Sequence, residues 1–330
     1  MRDAAASIAG PRQVTRPVPP VVSVVIPVHN EQAVLPKLFE RLYSALETLQ
    51  RPYEVLFVDD GSKDASVALL GEQHHRRPEV TRVIVLSGNF GQHNAILAGF
   101  AHARGEVVIT LDADLQNPPE EIPRLIEAWE QGHDYVGTIR SKRQDSAFRT
   151  LSSRLLNYMR ENTTGIRMTD QGCMLRAYGR PVIDAVNACP EVNTFVPALA
   201  YLFARSPVEI EVKHEARAAG ASNYSLYRLM RLNFDLMTGF SIVPLQLYSM
   251  LGMLIASLSL LFVVYMGIRR LVVGPEAAGL FTLMGIAFFL IGIVLLGVGL
   301  LGEYVGRIYA QVQARPRYRI GAILQSTEET

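Results

Sequence analysis

Asp112 and Asp114 stand one residue apart at the end of an apolar run, Val107 to Leu111. A short β-branched run followed by turn chemistry predicts a buried strand. In extended chain residues i and i+2 point the same way, so the two carboxylates would share one side. Like charges so placed repel, and burial raises the cost unless a cation or hydrogen-bond donors lie between them. Two readings compete. Aspartates after a strand often cap the next helix, and "NPPEEIPRL" begins one, with Asn117 as N-cap, proline in the first turn and Glu120 set for a capping box. Asn117 already fills that role, which leaves Asp112 and Asp114 for a metal. All-oxygen ligands favour Mg²⁺ or Mn²⁺ over zinc.

The elements that must position these groups follow from periodicity. Between Val21 and Arg140, strands are predicted at "VVSVVIPV", "YEVLFVDD", "TRVIVLSG", "EVVITLDAD" and "YVGTIR", with amphipathic stretches such as "LPKLFERLYSALETL" and "GQHNAILAGFAHA" between them. This is the order of an α/β, mostly parallel, doubly wound sheet, which binds ligands beyond the carboxyl ends of its strands. The polar residues fall there. His29, Asn30 and Glu31 follow the first strand, Asp59 and Asp60 the second, Asn89 the third and the "DADLQ" acids the fourth. Any one cluster is ordinary loop polarity; four on one rim are not. The rim has no G-x-G-x-x-G and no P-loop lysine, so a phosphate here is not held mainly by a glycine-rich turn. A metal on Asp112 and Asp114 would supply the positive charge for a nucleotide diphosphate. Asp60 is placed to hold a ribose or a base edge.

The chain has 330 residues with Lys+Arg 32 against Asp+Glu 31, a balance that does not suggest a nucleic-acid partner. Cys173 and Cys189 lack metal-ligand spacing and read as reduced structural thiols. His74, His75, His93 and His214 show no ligand spacing and read as surface or structural. The first twenty residues are Pro/Ala-rich without an apolar core, a flexible tail rather than a signal peptide. From Ile242 to Ile268 and from Ala277 to Leu301 the chain is nearly uncharged, and each run exceeds the roughly 20 apolar residues that cross a bilayer. A two-span hairpin places both ends on one side. Arg228, Arg231 and the basic "GRIYAQVQARPRYR", against Arg269 and Arg270 in the connecting loop, put the soluble part and both termini in the cytoplasm. The expected division is a tail at 1–20, a soluble domain at 21–235, two membrane helices within 242–301 and a basic tail at 302–330. Amphipathic stretches near 148–162 and 225–238 carry leucines on one face with arginines elsewhere, which suits a bilayer interface.

"SVVIPVHNE", "VDDGS" and "DADLQ" at these spacings resemble glycosyltransferase family 2, with its GT-A fold and D-x-D motif. With "DQGCMLRAY", "SNYSLYRLMRL" and two spans, the chain from Val21 to Tyr318 is similar to the polyprenyl-phosphate glycosyltransferases. "RQDSAFR", "NTTG" and "LLGEYVGRIYAQVQARPRY" look like those members that transfer 4-deoxy-4-formamido-L-arabinose to undecaprenyl phosphate. The resemblance implies inverting transfer from a UDP-sugar, dependent on Mg²⁺ or Mn²⁺, at the bacterial inner membrane, in service of lipid A modification and polymyxin resistance. It also implies a homo-oligomer, a tetramer in the family.

Residue by residue, the resemblance puts Pro27, His29, Glu31, Asp59, Asp60, Asn89 and Asp112 at the nucleotide and Asp112, Asp114 and Gln116 around the metal. Arg217, Ser222, Tyr224 and Arg228 would meet phosphate and lipid. Asp170 matches an acceptor-side base or orienting group, or else a carboxylate bonded to an arginine such as Arg176. The chain departs from the family at His29, where tyrosine is common, at Gly88, where arginine often stands, and at Asn223, where lysine is usual. The last two remove positive charge and throw the phosphate contacts onto Arg217 and Arg228. Glucosyl or mannosyl transfer to a polyprenyl phosphate is the alternative within enzymes. A membrane-anchored sugar-nucleotide sensor or a small-solute carrier subunit is the alternative outside them, and the full set of rim acids argues for turnover.

Overall fold

The structure, a computed structural model, describes residues 20–140, 161, 164–191, 195–215, 234–235, 237–273, 280–313 and 315–326. Branched residues that alternate between two buried faces make its central strands. β1 (Val22–Val28), β2 (Tyr53–Asp59), β3 (Thr81–Leu86) and β4 (Val107–Thr110) pair in parallel, in the order β3-β2-β1-β4. Val28 lies opposite Asp59, and Asp59 opposite Val85, so the strands finish level and their following loops share one rim.

The sheet continues past β4 in a way the strand–helix alternation does not predict. β5 (Tyr135–Arg140) is separated from β4 by β6 (Arg176–Gly179), antiparallel to both, and β7 (Pro207–Val212) runs parallel to β5 at the edge. At the other edge β8 (Ile320–Leu324) pairs antiparallel with β3. The eight strands run β7-β5-β6-β4-β1-β2-β3-β8.

Both faces are covered, as parallel strands require. Val22, Val24 and Ile26 face α1 (Leu35–Glu47), α2 (Ser66–Arg76) and α4 (Ile122–Glu130) through Leu38, Leu42, Leu70 and Leu125. Val25, Leu56, Val58 and Ile84 face α3 (Gln92–His102), α5 (Arg180–Ala188) and α6 (Val196–Phe203) through Ile96, Phe100, Ile183 and Leu199. Leu35, Leu38, Leu42 and Leu46 of α1 are fully buried. Each such leucine contributes about 1.5–3 kcal/mol, so α1 is a rigid platform for what projects from its outer side.

α7 (Val243–Val273) and α8 (Leu280–Val312) leave large apolar side chains exposed, Leu260 at 66% and Phe288 at 69% among them. Each carries a 27-residue apolar stretch, about 40 Å of helix at 1.5 Å per residue, longer than a bilayer core of about 30 Å. Tyr248 lies across Gly297, where any side chain would strike its ring, and donates its hydroxyl to the Ile293 carbonyl at 3.1 Å. Toward the same end of the pair Tyr304 donates to the Ser241 carbonyl at 2.8 Å, and Arg307 meets Thr238 at 2.9 Å and Glu303 at 2.9 Å.

Two expectations are corrected here. The segment 302–330 is not simply a basic tail. Its first residues continue α8 to Val312, and residues 320–324 return to the sheet, where the Ser87 N–H donates to the Arg319 carbonyl at 2.8 Å and Arg82 bonds Gln325 at 2.9 Å. Nor does Asn117 cap a helix. It is buried and accepts from the Cys173 thiol at 3.2 Å, while a short 3₁₀ turn at Pro119–Glu121 follows Pro118 with no side-chain cap. Proline at the first position has no N–H to be capped, which removes the need. The tail at 1–20 and the stretches near 148–162 and 225–238 lie almost wholly outside the described residues.

Candidate active site

The β2 end places Asp59 and Asp60 differently. Asp59 accepts from the Gly61 and Ser62 N–H groups, both at 3.1 Å through Oδ2, and its Oδ1 is buried with no partner. Asp60 reaches across to the β3–α3 loop and accepts from the N–H groups of Phe90 at 2.7 Å and Gly91 at 2.9 Å. Asp60 therefore ties two rim loops together, and the buried acceptor left without a partner is on Asp59.

His29 completes this corner. Its Nδ1 donates to the Asp60 carbonyl at 2.9 Å, and Nε2 accepts from the amides of Asn30 at 3.0 Å and Asn89 at 3.2 Å, which selects one neutral tautomer. Pro27 is half-buried within β1, and the Glu31 N–H is held by the Ser66 hydroxyl at 2.9 Å. All six expected nucleotide-side residues on the first three strand ends thus lie along one rim.

Gly61 makes the contact between these loops possible. Its φ is +69°, and a Cβ there would lie 2.5 Å from the Gly88 carbonyl carbon. Gly61→Ala is expected to cost at least about 2 kcal/mol, since left-handed strain and a backbone clash act together. The check is a lower thermal midpoint; an unchanged midpoint would show that the loops can part.

β4 ends at Thr110, so Asp112 and Asp114 lie beyond it rather than on extended chain, a departure from the same-side strand geometry. Leu115 adopts φ +59°, turning the loop back so that the Gln116 N–H donates to Asp114 Oδ1 at 3.1 Å. Asp112 accepts from the Gln92 amide, on α3, at 2.6 Å. Asp114 is buried, and Asp112 and Gln116 are partly exposed. This is a hard-oxygen donor set on a turned loop. Among the described residues no group of three or more His, Cys, Asp or Glu gathers, so the chain presents two carboxylates rather than a closed cage. That fits Mg²⁺ or Mn²⁺, which bind through one or two carboxylates and complete their shell with water and phosphate oxygens.

The remaining expected acid, Asp170, is paired, though not with the Arg176 side chain as one reading had it. Arg140, the last residue of β5, donates Nε to Asp170 Oδ2 at 2.6 Å and Nη2 to Oδ1 at 2.8 Å. Arg176 is fully buried and donates instead to the backbone carbonyls of Asp170 and Cys173 and to the Tyr135 hydroxyl. The sequence does not single out Arg140, and it reads His214 as surface or structural. Burial, followed by the Arg140 guanidinium, lowers the His214 imidazole below its usual range, while Asp170 and Asp114 pull it the other way. One electrostatic neighbourhood therefore includes Asp114, Arg140, Asp170 and His214. The signal for Arg140 was its place: a cation ending a parallel strand on the ligand rim. Arg217, Ser222, Tyr224 and Arg228, with the departure at Asn223, lie outside the described residues.

A sheet of this order, with acids at successive strand ends and a D-x-D loop, defines a glycosyltransferase of GT-A type. The family model for glycosyl transferase family 2 matches residues 23–186, and the chain belongs to that family. Its likeness to particular members is nearly end to end. It is 50% identical over 308 residues, 93% of this chain and 94% of the relative, to the undecaprenyl-phosphate 4-deoxy-4-formamido-L-arabinose transferase of Aeromonas hydrophila. Relatives of the same name from Klebsiella pneumoniae and Pseudomonas aeruginosa are also 50% identical, over 94% and 93% of this chain and 96% and 91% of their own lengths. Among solved structures, a glucosyl-3-phosphoglycerate synthase from Mycobacterium tuberculosis has a TM-score of 0.49 at 17% identity, covering 66% of this chain and 78% of that one.

Proposed function

We propose that the enzyme transfers 4-deoxy-4-formamido-L-arabinose from a UDP-linked donor to undecaprenyl phosphate at the cytoplasmic face of the bacterial inner membrane, a step in lipid A modification. The observation that carries this reading is half-identity along nearly the full length of chain and relatives alike, which includes the sugar-side and membrane segments as well as the nucleotide motifs.

The reaction forms a bond between an oxygen of the lipid phosphate and the anomeric carbon and breaks the bond from that carbon to UDP. Attack opposite the nucleotide inverts the centre. The nucleophile is already anionic near neutral pH, so a general base has little to contribute, and the difficulty is bringing one anion against another. Asp59 and the His29 corner hold the nucleotide. Asp112, Asp114 and Gln116 would hold Mg²⁺ or Mn²⁺, which when bound neutralises the pyrophosphate. Arg140, fixed by Asp170, meets the incoming phosphate in company with Arg217 and Arg228. A phosphate-bearing acceptor with an apolar tail suits a rim joined to two membrane helices, and by family resemblance the chains assemble as a homo-oligomer, a tetramer.

The test is transfer to undecaprenyl phosphate from the UDP-linked formamido sugar beside UDP-glucose, UDP-N-acetylglucosamine and GDP-mannose, each with Mg²⁺ and with Mn²⁺. A pocket that bonds the formamido group leaves polar atoms unpaired with plain sugars, so a preference of about 10⁴-fold is expected. Faster transfer of glucose or mannose would keep the lipid-linked class and overturn the sugar. No transfer from any donor would favour a sensor.

A further inference from the structure

Arg41 projects from α1 between Leu38 and Leu42, which anchor that helix in the core, and its guanidinium bridges two carboxylates from distant segments. Nε and Nη2 donate to Glu120 at 2.8 Å each, and Nη1 and Nη2 donate to Glu215 at 2.9 Å each. Glu120 lies just past the loop that carries Asp112, Asp114 and Gln116. Glu215 follows His214 and precedes Arg217 by two residues, on the chain leading toward the first membrane helix. The same two segments are joined a second time, where the Glu215 N–H donates to the Gln116 carbonyl at 2.9 Å.

We propose that Arg41 is a positioning residue that locks the Asp112–Gln116 loop to the segment ending at Glu215, setting the donor and acceptor sides of the rim relative to each other. The assignment of those two sides rests on the function proposed above; the lock itself does not. Arg41 touches no reacting atom. Its effect follows from charge: with the guanidinium present each glutamate is attracted to it, and without it two carboxylates face one another and repel. Removing Arg41 therefore replaces attraction by repulsion at these side chains and leaves the Glu215 N–H to Gln116 carbonyl bond as the tie between the segments. Lysine keeps the charge but cannot make four bonds in two directions. The Arg41 bonds also hold Glu215 below the usual carboxylate range, as expected of a carboxylate engaged on a guanidinium.

The experiment compares Arg41→Ala, Arg41→Lys, Glu215→Ala and the double variant Arg41→Ala/Glu215→Ala. Arg41→Ala is expected to lower kcat/KM for undecaprenyl phosphate by about tenfold, with Mn²⁺-dependent UDP binding and thermal midpoint near wild type. Arg41→Lys falls between, and the double variant recovers part of the loss because the repelling pair is gone. Amide hydrogen exchange at Glu215 supplies a readout independent of turnover: protection drops in Arg41→Ala and returns in part in the double variant. Arg41→Ala kinetics within about twofold of wild type, unchanged exchange, or a loss that merely tracks the thermal midpoint with no recovery in the double variant would each overturn the lock. If wild type fails to use any donor, exchange at Glu215 still decides the lock, and the failure counts against the donor and acceptor assignment alone.

Discussion

Asp112→Asn and Asp114→Asn are each expected to lower transfer by about three orders of magnitude while leaving the fold intact. Asparagine keeps an oxygen for the Gln92 amide at position 112 and for the Gln116 N–H at position 114, so the loop retains the bonds that shape it. The negative charge is lost, and one acceptor oxygen becomes an amide donor. Both positions lie past the end of β4, outside the pairing that holds the sheet. Initial rates at saturating donor, alongside thermal midpoints, separate the two effects. Chelating divalent ions should silence the wild-type enzyme to a similar degree, and full activity in excess chelator would remove the metal from the mechanism.

The second large effect is expected at Arg140. Arg140→Ala should reduce kcat/KM for the lipid phosphate about 100-fold, since it deletes a cation positioned by two charge-assisted bonds on the ligand rim. Arg140→Lys should restore little, because a point charge cannot take the Nε and Nη2 pairing on Asp170. Asp170→Asn should cost less, about tenfold, with the pH dependence of turnover unchanged, since one oxygen still meets Arg140 and no proton transfer is lost. If Asp170→Asn instead abolished turnover and removed a limb of the pH profile while Arg140→Ala stayed active, Asp170 would be the base and Arg140 its support.

The sequence made some of this legible because local pattern and global position agree. Alternating branched residues predict β1 to β4, and the ligand rule for parallel sheets turns four strand ends into one rim. What periodicity does not carry is partnership over distance. Nothing local distinguishes Asp59 from Asp60, yet one keeps a buried unpartnered oxygen and the other is committed to the Phe90 and Gly91 amides. Asp170 lies six residues from Arg176 and thirty from Arg140, and the nearer arginine was the natural partner to choose. β6 escaped because four residues containing a fully buried arginine do not read as a core strand, and the network of carbonyls and a tyrosine hydroxyl that makes such burial tolerable exists only once the chain is folded. β8 escaped because glycine and alanine interrupt "IGAIL" and leave too little branched pattern to signal a strand without β3 beside it.

That final strand also sets an order of assembly. Synthesis proceeds from the amino terminus, so β1 to β7 leave the ribosome before either apolar helix, and β8 only after both. Until then the outer edge of β3 has no neighbour, and its row of backbone donors and acceptors is open to pairing with another chain. The sheet whose strand ends form the rim is therefore completed by residues that arrive after the two long apolar helices. A fragment cut before α7 would carry every rim acid named here yet keep the exposed edge of an unfinished sheet.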